Sequence, residues 1–183
     1  IGVLGDHGRG TADHFGLGDR VDLIMGTFSK SFASLGGFIA GDELVIQYIK
    51  HHSRPFIFSA SMPPASVAAV RAALGIIKVE PQRREQLWKN TKKMRNGFQA
   101  MGYDTGTSNT PIIPVVIGED IKTFYFWKTL FENGIFSNPV ITPAVPPGQA
   151  LIRTSYMATH TDEELDTVLE TFRRVGQELE IIP

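Results

Sequence analysis

The stretch that decides the fold is Val-Asp-Leu-Ile-Met-Gly-Thr-Phe-Ser-Lys-Ser, residues 21–31. Its first part, residues 21–25, is a short apolar run, and such a run is typical of a buried β-strand. Lys30 follows this run closely, at a position where open α/β sheets bind their ligands. The stretch therefore predicts a strand that brings a lysine to the rim of a sheet.

The surroundings of Lys30 favour chemistry at its amine. Residues 34–41 are apolar and punctuated by glycine, and they predict a second buried strand at 37–40. A lysine that is half-desolvated between such strands loses proton affinity and becomes a usable nucleophile. The natural reaction of such an amine is a Schiff base with a carbonyl, most often that of pyridoxal phosphate. Small hydroxyl side chains that can hydrogen-bond an anion flank it: Thr27, Ser29 and Ser31.

Two other interpretations of Lys30 stay open from its position alone. A lysine after a strand is most often a solvated surface charge. The Lys30–Ser31 pair also suggests a nucleotide P-loop, but that motif requires glycine where Ser29 stands. The nucleotide interpretation is therefore weak, while the surface charge has to be weighed against the remaining motifs.

Composition limits the function classes. The chain has 183 residues, 42% apolar and 20% charged, which is ordinary for a globular protein. A net charge of −1 gives no electrostatic basis for binding nucleic acid. The absence of cysteine excludes disulfides, thiolate catalysis and cysteine-based zinc sites. No apolar run approaches a membrane span and no signal peptide is visible, so the cytoplasm is the expected location.

The histidines predict neither a metal site nor a catalytic base. His7 and His14, with Arg9 between them, lack a trustworthy metal-ligand spacing, and no metal is predicted. The pair at residues 51–52, beside Arg54, is interpreted as a solvated basic cluster rather than as a binding site for CoA phosphates. For His160 a loop or capping role is favoured.

Periodicity and capping residues predict the order of the remaining elements. The N-terminal part should contain a short helix at 11–15, a helix capped by Asp42 to about 50, a strand at 55–58 and a helix from Pro63-Pro64 to 79. After a break at 80–81, an amphipathic helix is predicted at 83–101. The C-terminal part should contain a strand at 111–118 and then a helix at 120–133 that Gly134 stops. A strand starting at 135 and a strand at 150–156 should follow. The last helix should begin with the Thr161/Glu164 capping box and run to about 179. The fold class is α/β, with domains at 1–80 and 81–183 joined by the long helix.

Three further side chains are candidates for binding. Ser59 and Ser61 precede the helix at Pro63-Pro64, and with the N–H groups of its first turn they can form an anion site, although capping would explain them equally simply. Arg153 lies within a strand, where a guanidinium is costly unless it is paired with a substrate carboxylate or a structural acid.

Four segments in order resemble the α-oxoamine synthase family. Residues 2–10 resemble the segment after its Asp-Glu-Ala-His motif, and Thr-Phe-Ser-Lys at 27–30 resembles its cofactor-lysine motif. Residues 55–64 resemble a segment that contributes to the phosphate site across the dimer. Residues 151–155 resemble the strand with the carboxylate-binding arginine. The resemblance covers essentially the whole chain.

The resemblance implies a fold, a cofactor and a reaction. The fold would be the C-terminal part of a type I, aspartate-aminotransferase-like pyridoxal-phosphate enzyme: the end of the large-domain sheet and a small α+β domain. Lys30 would hold pyridoxal 5′-phosphate, Thr27, Ser59 and Ser61 would bind it, and Arg153 would bind the amino-acid substrate. The enzyme would work as a homodimer with its site at the subunit interface. Since the chain starts at Ile1 without Met, residues that bind the cofactor ring would precede it.

The implied reaction is the decarboxylative, Claisen-type condensation of an amino acid with an acyl-CoA thioester. Residues 153–161 and the loop at 143–147 most resemble serine palmitoyltransferase-like members. Glycine C-acetyltransferase and 8-amino-7-oxononanoate synthase are alternatives within the family. An aminotransferase of the same fold, and a non-catalytic binding module, stay open as other classes.

Overall fold

The computed structural model describes residues 1–183, and these form two compact units. Unit 1 comprises Ile1–Arg84 and unit 2 comprises Glu85–Pro183. The division falls in the first turn of a long helix, a little after the domain boundary predicted at residues 80/81. None of the helices combines the length and apolarity that a bilayer crossing requires.

Unit 1 is a β-hairpin with helices. Its strands β1 (Leu23–Thr27) and β2 (Gly37–Gly41) pair antiparallel, with Thr27 opposite Gly37 at the loop end. The helices are α1 (Thr11–His14), α2 (Glu43–His52), α3 (Arg54–Ile57) and α4 (Pro64–Val79), and α5 (Pro81–Ala100) starts here. The Asp42 cap is confirmed, because its carboxylate accepts the Leu44 N–H at 2.9 Å. The break at 80–81 is confirmed as well.

The two strands of unit 1 are not buried as the apolar runs predicted. Leu23, Ile24 and Met25 are 43%, 38% and 71% exposed within this chain. The two strands form a sheet of their own, and most of their residues are exposed. An apolar run indicates that a strand has a surface to bury, but it does not indicate which segment of protein covers that strand.

The predicted strand at 55–58 is wrong, because residues 54–57 form the single helical turn α3. Ser53 caps this turn, its hydroxyl accepting the Phe56 N–H at 3.4 Å. Pro55 then occupies the first turn, where its missing N–H removes no hydrogen bond. The cap and the proline outweigh the strand preference of Phe56-Ile57-Phe58.

Unit 2 is a three-stranded antiparallel sheet with helices packed against it. Strand β5 (Ala150–Ser155) lies between β3 (Ile112–Gly118) and β4 (Asn138–Val140). Helix α6 (Asp120–Glu132) contacts all three strands and also α7 (Asp162–Glu178). The strand expected to start at residue 135 begins only at Asn138, because Ile135 completes the helix end by donating its N–H to the Leu130 carbonyl.

An aromatic cluster forms the core of unit 2. Phe98, Phe126 and Phe172 are fully buried, with ring centroids 4.9–5.5 Å from Phe172. The hydroxyl of the buried Tyr103 donates to the Phe172 carbonyl at 2.7 Å, so its polar end is satisfied. Unit 2 therefore has a complete core of its own, and this core fixes strand β5 in place.

The capping box at the start of α7 is confirmed in full. The Thr161 hydroxyl accepts the Glu164 N–H at 3.2 Å, and the Glu164 carboxylate accepts the Thr161 N–H at 2.8 Å. We expect Thr161→Ala to lower the free energy of unfolding by about 1 kcal/mol, because a first-turn N–H loses its partner. Urea denaturation measures this change. Thr167→Ala, on the exposed side of the same helix, is the matched control, and an equal loss there would contradict the capping role.

Candidate active site

The loop between β1 and β2, residues 28–36, presents Lys30 on the surface of unit 1. We call this segment the lysine loop. Backbone hydrogen bonds shape this loop, from Phe28 N–H to the Gly36 carbonyl at 2.9 Å and from Ala33 N–H to the Lys30 carbonyl at 2.9 Å. The Lys30 side chain is exposed, without a hydrogen bond or an ion pair. The prediction of a half-desolvated lysine is therefore wrong for this chain, for the same reason that the strands are exposed.

Thr27 ends strand β1 directly before the lysine loop. Its hydroxyl lies 2.9 Å from the hydroxyl of Ser29, and both side chains are exposed. A hydroxyl pair of this kind can still donate one hydrogen bond outwards. Its position on the lysine loop suits an anion bound beside Lys30.

The lysine loop is fastened to the start of helix α4. The Ser34 hydroxyl donates to the Ser66 carbonyl at 3.2 Å. Gly36 has a φ of 89°, and a Cβ at this position would lie 2.6 Å from the Met62 sulfur. Only glycine therefore allows the segment before α4 to pack so closely against the loop. The segment of Ser59 and Ser61 therefore directly precedes residues that pack against the lysine loop.

The start of α4 has hydrogen-bond donors that lack a partner. Its N-cap is Pro63, which has no side-chain acceptor, so the N–H groups at the second and third helical positions lack an intrahelical partner. Ser59 and Ser61 are exposed and make no hydrogen bond, so the capping explanation of Ser61 does not hold. Free N–H groups and free hydroxyls are the donors that a phosphate group requires. These residues fit the phosphate of the expected cofactor chemically.

A cavity of about 430 Å³ in unit 1 is distinct from the candidate phosphate site at the start of α4. It is lined mainly by apolar residues of the hairpin and α2, including Met25, Phe38 and Ile46. Thr27 lies on its edge, whereas Lys30, Ser59 and Ser61 are not part of its wall. The cavity is a consequence of the uncovered hairpin face, and we assign no ligand to it.

Arg153 lies on the open face of the sheet in unit 2. Along β5, Ala150, Ile152 and Thr154 are buried in the core, and the alternate residue Arg153 faces away from it. Its strand neighbours are Pro114 on β3 and Asn138 on β4. The guanidinium is exposed and has no hydrogen bond or ion pair. The structural ion pair considered from the sequence is absent, and the arginine is available to a carboxylate.

Three of the five histidines have local roles. The Nδ1 atoms of His51 and His52 lie 2.7 and 2.9 Å from the carbonyls of Gln47 and Tyr48, one turn earlier in α2. His160 accepts the Met157 N–H on Nδ1 at 3.3 Å, which confirms its role in the loop before α7. These contacts explain the three side chains without a substrate.

Sequence reasoning missed Ser34, Gly36 and Met62, which hold the lysine loop against α4. The sequence contained only part of the signal for this packing. Gly36-Gly37 indicated a backbone with special geometry, but Met62 lies 26 residues after Gly36, and Ser66 lies 32 residues after Ser34. No local pattern identifies such a partner.

Comparison with known proteins identifies the family. The model of the family "Aminotransferase class I and II" matches residues 1–172. A serine palmitoyltransferase of Sphingobacterium spiritivorum is 53% identical over 181 residues, which are 99% of this chain and 45% of the relative. An 8-amino-7-oxononanoate synthase of Thermoanaerobacter pseudethanolicus is 44% identical, over 99% of this chain and 46% of the relative.

A solved structure agrees with both sequence matches. A high-resolution structure of "SPT with PLP internal aldimine" superimposes with a TM-score of 0.94 at 33% identity, covering 100% of this chain and 46% of the other. The predicted type I, aminotransferase-like α/β fold is thereby confirmed. The chain spans about half the length of the relatives that it matches. It belongs to the class I and II aminotransferase family, and its relatives there are α-oxoamine synthases, as its four sequence segments predicted.

Proposed function

We propose that the protein to which this chain belongs is a pyridoxal-phosphate-dependent acyltransferase that condenses an amino acid with an acyl-CoA thioester. Serine with a long acyl chain is the favoured substrate pair, because relatives named serine palmitoyltransferase are 53% and 52% identical to the chain. The observation that carries the proposal is the lysine loop fastened to the donor-rich start of α4. The placement of the chain in the C-terminal part of such an enzyme stays a prediction.

Each of the four candidate residues of unit 1 has a proposed role. Lys30 holds the aldehyde of the cofactor through its amine and, once freed, moves the α-proton of the amino acid. Thr27, Ser59 and Ser61 bind the phosphate together with the first N–H groups of α4. Pyridoxal phosphate, when bound, supplies an electron sink for the carbanion that attacks the thioester. A solved relative contains PLP, which supports the choice of cofactor.

In unit 2, Arg153 is proposed to bind the substrate carboxylate through its planar pair of N–H donors. We expect Arg153→Lys to raise the KM for the amino acid about 10- to 100-fold with a smaller change in kcat, because the paired geometry is lost. Steady-state kinetics with varied amino acid measures this change. Arg173→Lys on α7 is the control, since Arg173 is exposed and unpaired. An unchanged KM in Arg153→Lys would contradict the proposed role.

The reaction class is tested by following free thiol. Incubation of the full-length protein with serine and palmitoyl-CoA should release CoA thiol without forming a keto acid from serine. Keto-acid formation without thiol release would identify an aminotransferase instead. Glycine with acetyl-CoA and alanine with a pimeloyl thioester test the glycine C-acetyltransferase and 8-amino-7-oxononanoate synthase alternatives, the second of which has a relative at 44% identity.

A homodimer is the proposed assembly, and the cytoplasm the proposed location. The exposed apolar side chains of unit 1 support the assembly: Met25, Leu44, Tyr48, Phe56 and Phe58 are 71%, 81%, 63%, 63% and 85% exposed. Apolar surface of this extent needs cover from protein. Light scattering on the full-length protein tests the assembly, and a stable, active monomer would contradict it.

A further inference from the structure

Unit 2 contains a cavity of about 370 Å³ whose wall includes none of the residues proposed for catalysis or cofactor binding. It lies between residues 134–137, the end of β5 with its following loop, and helix α7. Pockets for small ligands in proteins have this size or somewhat more. Its apolar wall consists of Ile135, Phe136, Leu165, Val168 and Phe172. A guest in this cavity must therefore carry an apolar group.

The charge at the cavity is negative. Glu164 is the single carboxylate in the wall, and the Nδ1 atom of His160, also in the wall, accepts the Met157 N–H. Burial raises the pKa of the Tyr156 phenol well above its ordinary value, so this group stays uncharged while donating to the Thr154 hydroxyl at 2.9 Å. The wall contains no lysine or arginine.

The Glu164 carboxylate has an oxygen available for a guest. Its Oε2 accepts the Thr161 N–H, whereas Oε1 has no partner. The start of a helix carries about half a positive charge, which favours anions. The first turn of α7 holds three carboxylates. Asp162 pairs with Lys89 and Lys93 at 3.6 and 3.0 Å, whereas Glu163 and Glu164 form no ion pair and offset the charge of the helix start.

A buried hydroxyl without a partner is the second, independent sign of a guest. Ser137 is 6% exposed, belongs to the cavity wall, and its Oγ makes no hydrogen bond. A buried polar group that stays unpaired costs about 1–3 kcal/mol. A guest with a polar substituent removes this cost when the serine hydroxyl turns towards it.

We propose that this cavity binds a cationic amphiphile of the primary alkylamine class. The apolar tail packs between Phe136, Val168 and Phe172, the ammonium group lies at Glu164, and Ser137 is free for a neighbouring polar substituent. Anionic amphiphiles are rejected because they meet Glu164 without a compensating cation. The product of the proposed condensation, an α-amino ketone with an alkyl tail, is of this class, and only that link rests on the proposed function.

Octylamine, 1-octanol and octanoate form a probe series of similar chain length whose head groups are positive, neutral and negative. Isothermal titration and backbone NMR shifts of the full chain are measured at low ionic strength, where screening is weak. We expect octylamine to bind about two- to fivefold more tightly than octanol, and octanoate more weakly than either, the range given by a solvent-exposed ion pair. Shifts should cluster at residues 134–137 and in the first half of α7.

Variants separate the cavity from general attraction to an acidic helix end. Glu164→Gln keeps the capping box, since glutamine also serves at that position, and should remove the preference for octylamine over octanol. Glu163→Gln removes the same charge from the same turn outside the cavity wall and should leave the preference unchanged. Val168→Trp should fill the cavity and weaken all three probes.

Three results would overturn the inference: octanoate binding as tightly as octylamine, equal effects of Glu164→Gln and Glu163→Gln, or octylamine binding unaffected by Val168→Trp. The far-ultraviolet circular dichroism of each variant confirms that α7 is intact. The titrations contain neither cofactor nor thioester, so their failure leaves the test by thiol release independent.

Discussion

Replacing Lys30 by alanine in the full-length protein is expected to lower the rate of thiol release from acyl-CoA by about 10²–10⁴-fold, the usual contribution of a positioned proton-transfer group. The loss should be in kcat, because Lys30 is proposed to act on the bound amino acid, and Arg153 is the residue proposed to bind the carboxylate of that amino acid. Steady-state kinetics with saturating pyridoxal phosphate measures this effect.

Two further variants control this prediction. Lys30→Arg keeps the charge and should be as inactive as Lys30→Ala, because a guanidinium is always protonated and cannot attack the aldehyde. Lys78→Ala, in the last turn of α4, removes an exposed lysine from the same unit and should keep wild-type activity. Activity in Lys30→Arg above a tenth of wild type would mean that Lys30 contributes only charge.

Phe172→Ala is expected to lower the free energy of unfolding by about 3–5 kcal/mol, the usual loss for a large aromatic residue deleted from a core. Phe172 is fully buried, and its ring contacts those of Phe98, Phe126 and Tyr103. A loss of this size is comparable with the whole stability of many domains. Urea unfolding followed by tryptophan fluorescence measures it, since Trp88 and Trp127 lie in unit 2.

The matched control for the core is Phe136→Ala. Phe136 is 80% exposed, so its removal should change the free energy of unfolding by no more than about 0.5 kcal/mol. A loss below 1 kcal/mol in Phe172→Ala would contradict the core described for unit 2. Because Phe172 on α7 belongs to the same core cluster as Ile152 of β5, the destabilised variant should also lose the fixed geometry of this strand and, with it, the proposed role of Arg153.

Local signals in the sequence predicted where a helix begins or ends when a few neighbouring residues determine that point. Asp42 caps α2, Thr161 and Glu164 form the capping box of α7, and Gly134 follows α6 with a φ of 82°. Each of these signals acts within a few residues of itself. The prediction of a strand at 55–58 was wrong because two such local signals, the cap at Ser53 and Pro55 in the first helical turn, were given too little weight.

Long-range features of the candidate site were beyond local patterns. The sequence indicated Lys30 and Arg153 as functional types, but not their exposure, which depends on what covers each sheet face. The contact of Gly36 with Met62 and the hydrogen bond of Ser34 with Ser66 join segments distant in the chain. The resemblance to a family predicted roles for Lys30 and Arg153, and only the fold could show how the lysine loop is held.

The central claim is that Lys30 is the attachment point of pyridoxal phosphate, and borohydride reduction tests it most directly. The full-length protein is incubated with pyridoxal phosphate, reduced, digested and analysed by peptide mass spectrometry. The account predicts one phosphopyridoxyl group, on the peptide containing Lys30, and its loss in Lys30→Ala with no transfer to Lys50 or Lys78. Labelling spread over several lysines, or labelling of Lys30→Ala at the wild-type level, would contradict it.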